Sequence, residues 1–387
     1  MLLEQLLAPV PGGTGRYSRE LTRALVATAP AGWTVGSAVA RHADPTAAML
    51  PGVDGPTVLP LPRRALVAAW ESGVPLWPGG DTVHAPTPLA PPGPPRGRGL
   101  VVTVHDTVPW THPETLTRRG ARWHRRVIGR AARRADALVV PTATVAEELP
   151  RYLPHPARLH VVGRIHVMGQ GVTPAVATAP EPQRADDIAA RLDLPPRYVL
   201  AIGTLEPRKG IDVLLDALAS SQGLDVSLVL VGQRGWGGVD PEVAARRAGL
   251  APGRLRVLGR ITDAELAVVL HRAAVLAAPS RAEGFGLPVL EAMAAGVPVV
   301  HSDVAALVEV AGGAGTAVPR NDPAGLATAL RAVLADQGKA EAMVAAGRQR
   351  ARQFSWERTA RQVWSVHVEL HHARSCGERL LRWLPRS

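Results

Sequence analysis

The sequence has one cysteine, few aromatic side chains and no long uninterrupted apolar run. The lone Cys376 excludes an intrachain disulfide, so packing must hold the fold, and a reducing compartment fits. No uncharged apolar stretch reaches the length that crosses a bilayer. The first residues, MLLEQLLAPVPGG, lack a basic leader and carry Glu4 inside their apolar run, unlike a secretory signal. A cytoplasmic protein is expected, at most peripheral on the inner face of the plasma membrane. No CxxC pair or HExxH run is present, which argues against a structural or hydrolytic zinc. No Walker-type phosphate loop is present, which excludes that route to ATP hydrolysis. Aromatics are only 4%, too few for base-stacking surfaces, so no nucleic-acid partner is expected.

What is there suits a globular chain. With 387 residues and 46% hydrophobic side chains, two separate cores are affordable. The net charge of +11 points to an anionic partner, either phosphate groups or a membrane surface. Short apolar runs alternate with helix-length stretches. Strands are expected at 35–40, 100–104, 137–140, within 159–172, and at 198–202, 227–231, 255–258, 275–278 and 297–301. Helices are expected between them, with Thr144 as one N-cap. The polar, Pro-rich stretch from Thr173 to about Gln183 reads as a linker with a short helix after it. Buried strands alternating with helices imply parallel sheets covered on both faces. The expected fold is α/β, two Rossmann-like domains with parallel sheets facing a central cleft. Residues 1–175 form the N-terminal domain, 176–196 the linker region and 197–355 the C-terminal domain. Helix over 356–387 packs back on the N-terminal domain. Ligands of such sheets sit at the carboxyl ends of strands.

Five constellations lie at such ends or near them. Glu283-Gly284-Phe285-Gly286-Leu287 leads from a strand into a helix. Its glycines let backbone N–H groups approach a ligand, and the helix start adds a positive dipole end, which together make a phosphate cradle. Glu283 can reach a sugar hydroxyl, and Glu291, a turn into the helix, the paired hydroxyls of a ribose. The plainer alternative is two carboxylates that merely favour a helix start. Arg208-Lys209 follows another strand and can hold a diphosphate as it leaves, or be a solvated basic pair. Gly12-Gly13-Thr14-Gly15 can approach a phosphate or serve only as a turn. His105 ends a strand and can donate to a sugar hydroxyl or a phosphate, or bond locally. Eight arginines between Arg118 and Arg134, with Trp123, Val127 and Ile128 among them, suit an anionic lipid surface or a solvated face.

Taken together these segments strongly resemble glycosyltransferase family four, the two-domain GT-B fold. EGFGLPVLEAMAAGVPVV, GTLEPRKG and VGQRGWG carry the resemblance in the C-terminal half. GGTGRY, TVHDTVPWTHPE and FSWERTARQV carry it elsewhere, so that it runs from about Pro9 to Val368. The resemblance implies transfer of a sugar from a nucleotide diphosphate with retention at the anomeric carbon. It places Glu283 on the donor sugar, Glu291 on the ribose and the backbone of Gly284, Phe285, Gly286 and Leu287 on the distal phosphate. Arg208 and Lys209 would bind the diphosphate, His105 would lie near the transferring sugar, and Gly13 near the phosphates. No metal and no cofactor is expected, the nucleotide sugar being a substrate. The GTLEPRK form points to a mannosyl or rhamnosyl subgroup, with GDP-mannose as donor and a glycan, lipid or small molecule as acceptor, in cell-envelope synthesis. Two other readings stay open: a sugar-nucleotide-binding subunit without catalysis, and a sugar-nucleotide epimerase on the same fold.

Overall fold

The apolar runs become parallel strands, and the intervening stretches cover them. The computed structural model of the chain describes all residues except 162, 221–223, 225, 236 and 384–387, and the side chains at 156, 159, 160 and 375–383 are likewise left undescribed. The chain divides into two units. Unit 1 comprises residues 1–111, 118–170 and 356–387, and unit 2 comprises 112–117 and 171–355.

In unit 1 the order is α1 (Gly12–Ala27), β1 (Gly36–Arg41), β2 (Asp54–Pro62), α2 (Arg63–Glu71), β3 (Thr82–Ala85) and β4 (Gly99–Thr103). Then come α3 (Val108–Thr111), α4 (Arg118–Arg134), β5 (Ala137–Val140), α5 (Ala143–Tyr152), α6 (His155–Val161) and β6 (Ile165–Val167). Strands β3 to β6 form a parallel sheet in sequence order, and β1 pairs with β2. The first residues join the two sheets. Leu2 N–H donates to His84 O on β3 at 3.0 Å, and Ala38 N–H on β1 donates to Met1 O at 2.9 Å. Glu4, which interrupts the apolar start, is buried there. Its carboxylate accepts from Ala40 N–H at 2.9 Å and contacts His42 Nε2 at 2.8 Å, so its burial is satisfied by hydrogen bonds.

Unit 2 contains α7 (Pro174–Ala177), α8 (Pro182–Arg191), β7 (Tyr198–Ile202), α9 (Ile211–Ser220), β8 (Ser227–Val231), α10 (Pro241–Ala248), β9 (Leu255–Gly259), α11 (Asp263–His271) and β10 (Val275–Ala278). It continues through α12 (Leu287–Ala295), β11 (Val299–Ser302), α13 (Ala305–Ala311), β12 (Thr316–Val318), α14 (Pro323–Ala335) and α15 (Gln337–Ala351). Its parallel sheet has the order β12-β11-β10-β7-β8-β9. This is the doubly wound arrangement in which the strand order reverses between the first and fourth strands, here β7 and β10. Val199, Leu228 and Val275 on the inner strands are fully buried, as expected of strands covered on both faces. The last helix, α16 (Trp356–Trp383), belongs to unit 1 and packs on α1. Trp364 Nε1 donates to Leu25 O at 3.0 Å, and Thr359 Oγ1 to Gly169 O at 2.7 Å. Among the described residues no helix is long and apolar enough to cross a membrane.

Two local expectations change. The N-cap of α5 is Thr142, whose hydroxyl accepts from Val145 N–H at 3.3 Å, and Thr144 lies inside the helix. The apolar stretch from residue 159 starts in a helix, α6, and only Ile165–Val167 is strand. The short helix expected after the Pro-rich linker stretch stands at Pro182–Arg191. There Ala185, Ile188 and Ala189 pack on Val268 of α11 within unit 2.

Candidate functional site

The chain leaves β7 and β10 at neighbouring positions, where the strand order reverses. The segment after β7 makes one tight helical turn, Pro207–Lys209, which ends at Gly210 with φ +64°. A Cβ at Gly210 would stand 2.2 Å from Pro279 O, at the end of β10. Only glycine allows the two strand ends to come this close in that backbone conformation. Arg281 fastens them from outside. Its backbone N–H donates to Arg208 O at 2.8 Å, and its guanidinium reaches Pro207 O at 2.6 Å and both carboxylate oxygens of Asp212 at 3.0 and 2.6 Å.

Between the two segments lies a cluster of charges. Arg208 Nη1 donates to Glu283 Oε2 at 2.8 Å, and Lys209 Nζ donates to Glu283 Oε1 at 2.6 Å. Ser280 Oγ also donates to Oε1, at 2.8 Å, and Arg208 Nη2 holds Glu206 Oε1 at 2.5 Å. The side chains of Arg208, Lys209 and Glu283 are 15%, 14% and 11% exposed, and Glu206 is 1% exposed. Burial alone pushes the Glu283 carboxyl up. The charges of Lys209 and Arg208, with the hydrogen bonds from Lys209 and Ser280, outweigh it and bring the group down to about 2. Glu206 goes the other way. Its burial raises it, and Arg208 and Lys209 offset only part of the rise.

Residues 284–287 then lead into α12, whose N-cap is Gly286 in the left-handed conformation and whose second residue is Pro288. Phe285 is buried, with its ring edge-on to Phe354 at 5.8 Å, so its side chain anchors the turn while its backbone faces the helix start. Glu291, a turn further on, is 2% exposed. The structure therefore brings Arg208, Lys209, Glu283, Gly284, Phe285, Gly286, Leu287 and Glu291 to one edge of the unit 2 sheet. Gly13 and His105 belong to unit 1. Gly13 stands in the first turn of α1, where an added Cβ would meet nothing within 4 Å, so packing does not require glycine there.

His105 follows β4, and one of its ring nitrogens is already engaged. Nε2–H donates to Pro86 O at 2.8 Å. Burial lowers the basicity of the ring, against the opposing pull of that bond and of Asp106. A neutral ring whose Nε2 carries the proton presents Nδ1 as an acceptor. It is suited to receive a hydroxyl proton rather than to donate to a phosphate.

Sequence reasoning passed over Glu206, Ser280 and Arg281, although all three stand in the segments it singled out. Glu206 and Arg208, two apart around a proline, were the available signal for the buried carboxylate under the guanidinium. Nothing in the sequence alone indicated that Arg281 would bind Asp212.

Two α/β units built on parallel sheets, the second doubly wound with a charged strand-end cluster, define a GT-B class protein. Comparison with known proteins agrees. The profile described as Glycosyltransferase Family 4 matches residues 11–165, and that described as Glycosyl transferases group 1 matches 196–336. The chain belongs to glycosyltransferase family 4. It is similar to O-antigen chain mannosyltransferase B of Escherichia coli, 39% identical over 175 residues, which is 44% of this chain and 45% of that protein. It is also similar to phosphatidyl-myo-inositol mannosyltransferase of Mycobacterium leprae, 40% identical over 177 residues, 44% of this chain and 46% of the other. These matches span about half the length of the curated relatives. Among solved structures, sucrose-phosphate synthase of Thermosynechococcus elongatus superposes with a TM-score of 0.73 at 25% identity, over 96% of this chain and 98% of that one.

Proposed function

We propose that the protein is a retaining glycosyltransferase that moves a hexose, mannose from GDP-mannose in the first instance, onto a glycan, lipid or small-molecule hydroxyl in cell-envelope synthesis. What carries this is the position of Glu283, held between Arg208, Lys209 and the start of α12 at the point where the unit 2 sheet reverses its strand order. The mannosyl assignment is supported by the two mannosyltransferase relatives.

In the reaction the bond between the anomeric carbon and the diphosphate oxygen breaks, and its electron pair stays on the phosphate. The acceptor oxygen bonds to the same face of the anomeric carbon, and its proton passes to the leaving phosphate. Negative charge thus builds on the diphosphate while the sugar gains oxocarbenium character. Arg208, Lys209 and the N–H groups at the α12 start supply fixed positive potential for it. Lys209 donates one of its three N–H bonds to Glu283, and the low-lying Glu283 carboxylate stays ionised to accept from donor-sugar hydroxyls. Glu291 takes the ribose, Gly13 lies by the phosphates, and His105 accepts from a hydroxyl of the transferring sugar. No metal enters this scheme, since these cationic groups take its part.

The acceptor side includes the basic face of α4, which we place on anionic lipid at the inner surface of the plasma membrane. Incubation with a panel of nucleotide sugars tests the proposal. GDP-mannose should raise the melting temperature most and should release GDP when acceptor is present. Arg208→Ala and Glu283→Gln should lower that release on the order of a hundredfold while remaining folded. Full release by both variants, or release without any acceptor-dependent product, would overturn it.

A further inference from the structure

A line of polar side chains runs through the core of unit 1, from α16 to the strand end that carries His105. Thr82 Oγ1 on β3 and His367 Nδ1 on α16 are 2.8 Å apart. His367 Nε2 stands 3.3 Å from His84 Nδ1 on β3, and His84 Nε2 stands 2.9 Å from Thr103 Oγ1 on β4. Thr103 Oγ1 lies 3.1 Å from Tyr17 Oη on α1. The Tyr17 ring then meets His105 edge-on, with centroids 4.7 Å apart and planes at 87°. Its other flank meets Trp356, the first residue of α16, at 5.9 Å. His84, His367, Thr103 and Tyr17 are all buried.

Such a line is costly to bury unless every member is satisfied. Here both nitrogens of both imidazoles have partners, and the Thr103 hydroxyl serves two. Burial makes both rings poor bases, so each stays neutral with one donor and one acceptor nitrogen. Two neutral rings can point their protons along the line in a single sense, from Thr82 toward Tyr17 or the reverse. A satisfied buried network of this kind fixes one arrangement of its members where an apolar core would tolerate several. Thr103 ends β4, and His105 follows it by two residues. Tyr17 touches both.

We infer that His84 and His367 are positioning residues for His105, acting through the Thr103 hydroxyl and the Tyr17 ring. This deepens the reading of His105 as the residue that accepts from the transferring sugar and rests on it. It gives α16 a part in the site besides covering the core, because His367 supplies one end of the line and Trp356 backs the tyrosine.

The test uses the full chain. Imidazole NMR signals of histidine-labelled protein are recorded, the His105 signal being identified by its loss in His105→Gln. GDP release from GDP-mannose is followed in parallel. Thr103→Val keeps the shape and removes the hydroxyl, and it should shift the His105 signal and lower kcat roughly tenfold to a hundredfold with KM for donor unchanged. His84→Leu should do the same. His84→Gln, which keeps a polar group where Nε2 stood, should restore both. Tyr17→Phe, which keeps the ring and removes only its hydroxyl, should shift the His105 signal as Thr103→Val does, and an unshifted signal would count against the inference. Unchanged His105 signals and kcat in Thr103→Val and His84→Leu would overturn the inference, as would an equal loss in His84→Gln and His84→Leu. If His105→Gln itself turned over GDP-mannose at the wild-type rate, the role of His105 would fall, while the NMR shifts would still decide whether the line positions it.

Discussion

Lys209 and Glu283 meet at 2.6 Å, ammonium to Oε1, while the second oxygen of the same carboxylate holds Arg208. One carboxylate thus sets the spacing of two cations that come from a different strand end.

Removing that carboxylate should be felt in stability as well as turnover. Glu283→Ala leaves two partly buried cations without their shared partner and should cost about 3 kcal/mol in urea unfolding. Glu283→Gln retains the shape and one acceptor and should cost about half as much, with nucleotide-sugar turnover still down on the order of a hundredfold. Equal stability of wild type and Glu283→Ala would mean that the cluster does not hold the two strand ends together.

Two glycines with the same left-handed backbone should behave differently. Gly210→Ala adds a Cβ 2.2 Å from Pro279 O, whereas at Gly238, with φ +66°, a Cβ meets nothing within 4 Å. Gly238→Ala should cost only the conformational penalty, about 1–2 kcal/mol. Gly210→Ala must also displace backbone, and should lower the melting temperature further and weaken nucleotide-sugar binding in calorimetry. A milder effect at Gly210 than at Gly238 would contradict the packing described.

Acid should weaken the protein in two windows. Burial first, and then its neighbour's charge, hold His84 well below the ordinary 6.5, and burial holds His367 at about 3. The unfolded chain therefore binds more protons than the folded one between about pH 6.5 and 3. The stability from these neutral rings is complete above 6.5 and drains away as pH falls toward 3. Glu283 adds stability that is complete above its ordinary 4.5 and is lost as pH falls through about 2. Eight of the nine tryptophans fall within the residues of unit 1 and only Trp236 within those of unit 2, so tryptophan fluorescence mainly follows the first window. Denaturant midpoints read by fluorescence should fall from pH 7 to 5, and by less in a His84→Leu/His367→Leu double variant. A pH-independent midpoint over that range would rule this out.

The arginines of α4 divide into two groups. Arg125 Nε donates to Pro109 O at 2.7 Å, and the Arg130 guanidinium holds the carbonyls of Trp70 and Glu71. Arg118, Arg119 and Arg122 are exposed. Arg125→Glu should therefore unfold more easily than wild type. Arg118→Glu/Arg119→Glu/Arg122→Glu should keep the melting temperature but lose at least about a hundredfold in sedimentation with phosphatidylserine vesicles, at about 1 kcal/mol per basic residue. Unaltered vesicle binding in the triple variant would remove the membrane from the function.

Much of unit 2 was legible because its strands are buried on both faces and read as unbroken apolar runs. Tyr198–Ile202, Ser227–Val231 and Val275–Ala278 lie where the pattern places them. The glycine turn into α12 was legible for a similar reason, since a helix start after a strand leaves a distinctive string. Unit 1 was harder. Its first strand is reduced to a bridge at Leu2, with Glu4 following, and no alternation survives in so short a piece. The apolar residues from 159 suit strand or helix equally by periodicity, and α6 claims the first of them. The partners of charged and polar groups were least visible. Glu283 lies 75 residues from Arg208, and His84 lies 283 from His367, distances at which local pattern says nothing.

The return of α16 to unit 1 has a consequence for how the protein is made. Unit 1 is opened early in the sequence and completed only by its final helix. Leu25, Thr82 and His84 must wait for Trp364 and His367 to emerge from the ribosome, after all of unit 2 has been synthesised. Unit 2 needs only residues 112–117 and 171–355, all available earlier, so the order of completion during translation runs against the order of the sequence. A released chain that ends before Trp356 should hold a protease-resistant second unit beside a first unit that is still cleaved.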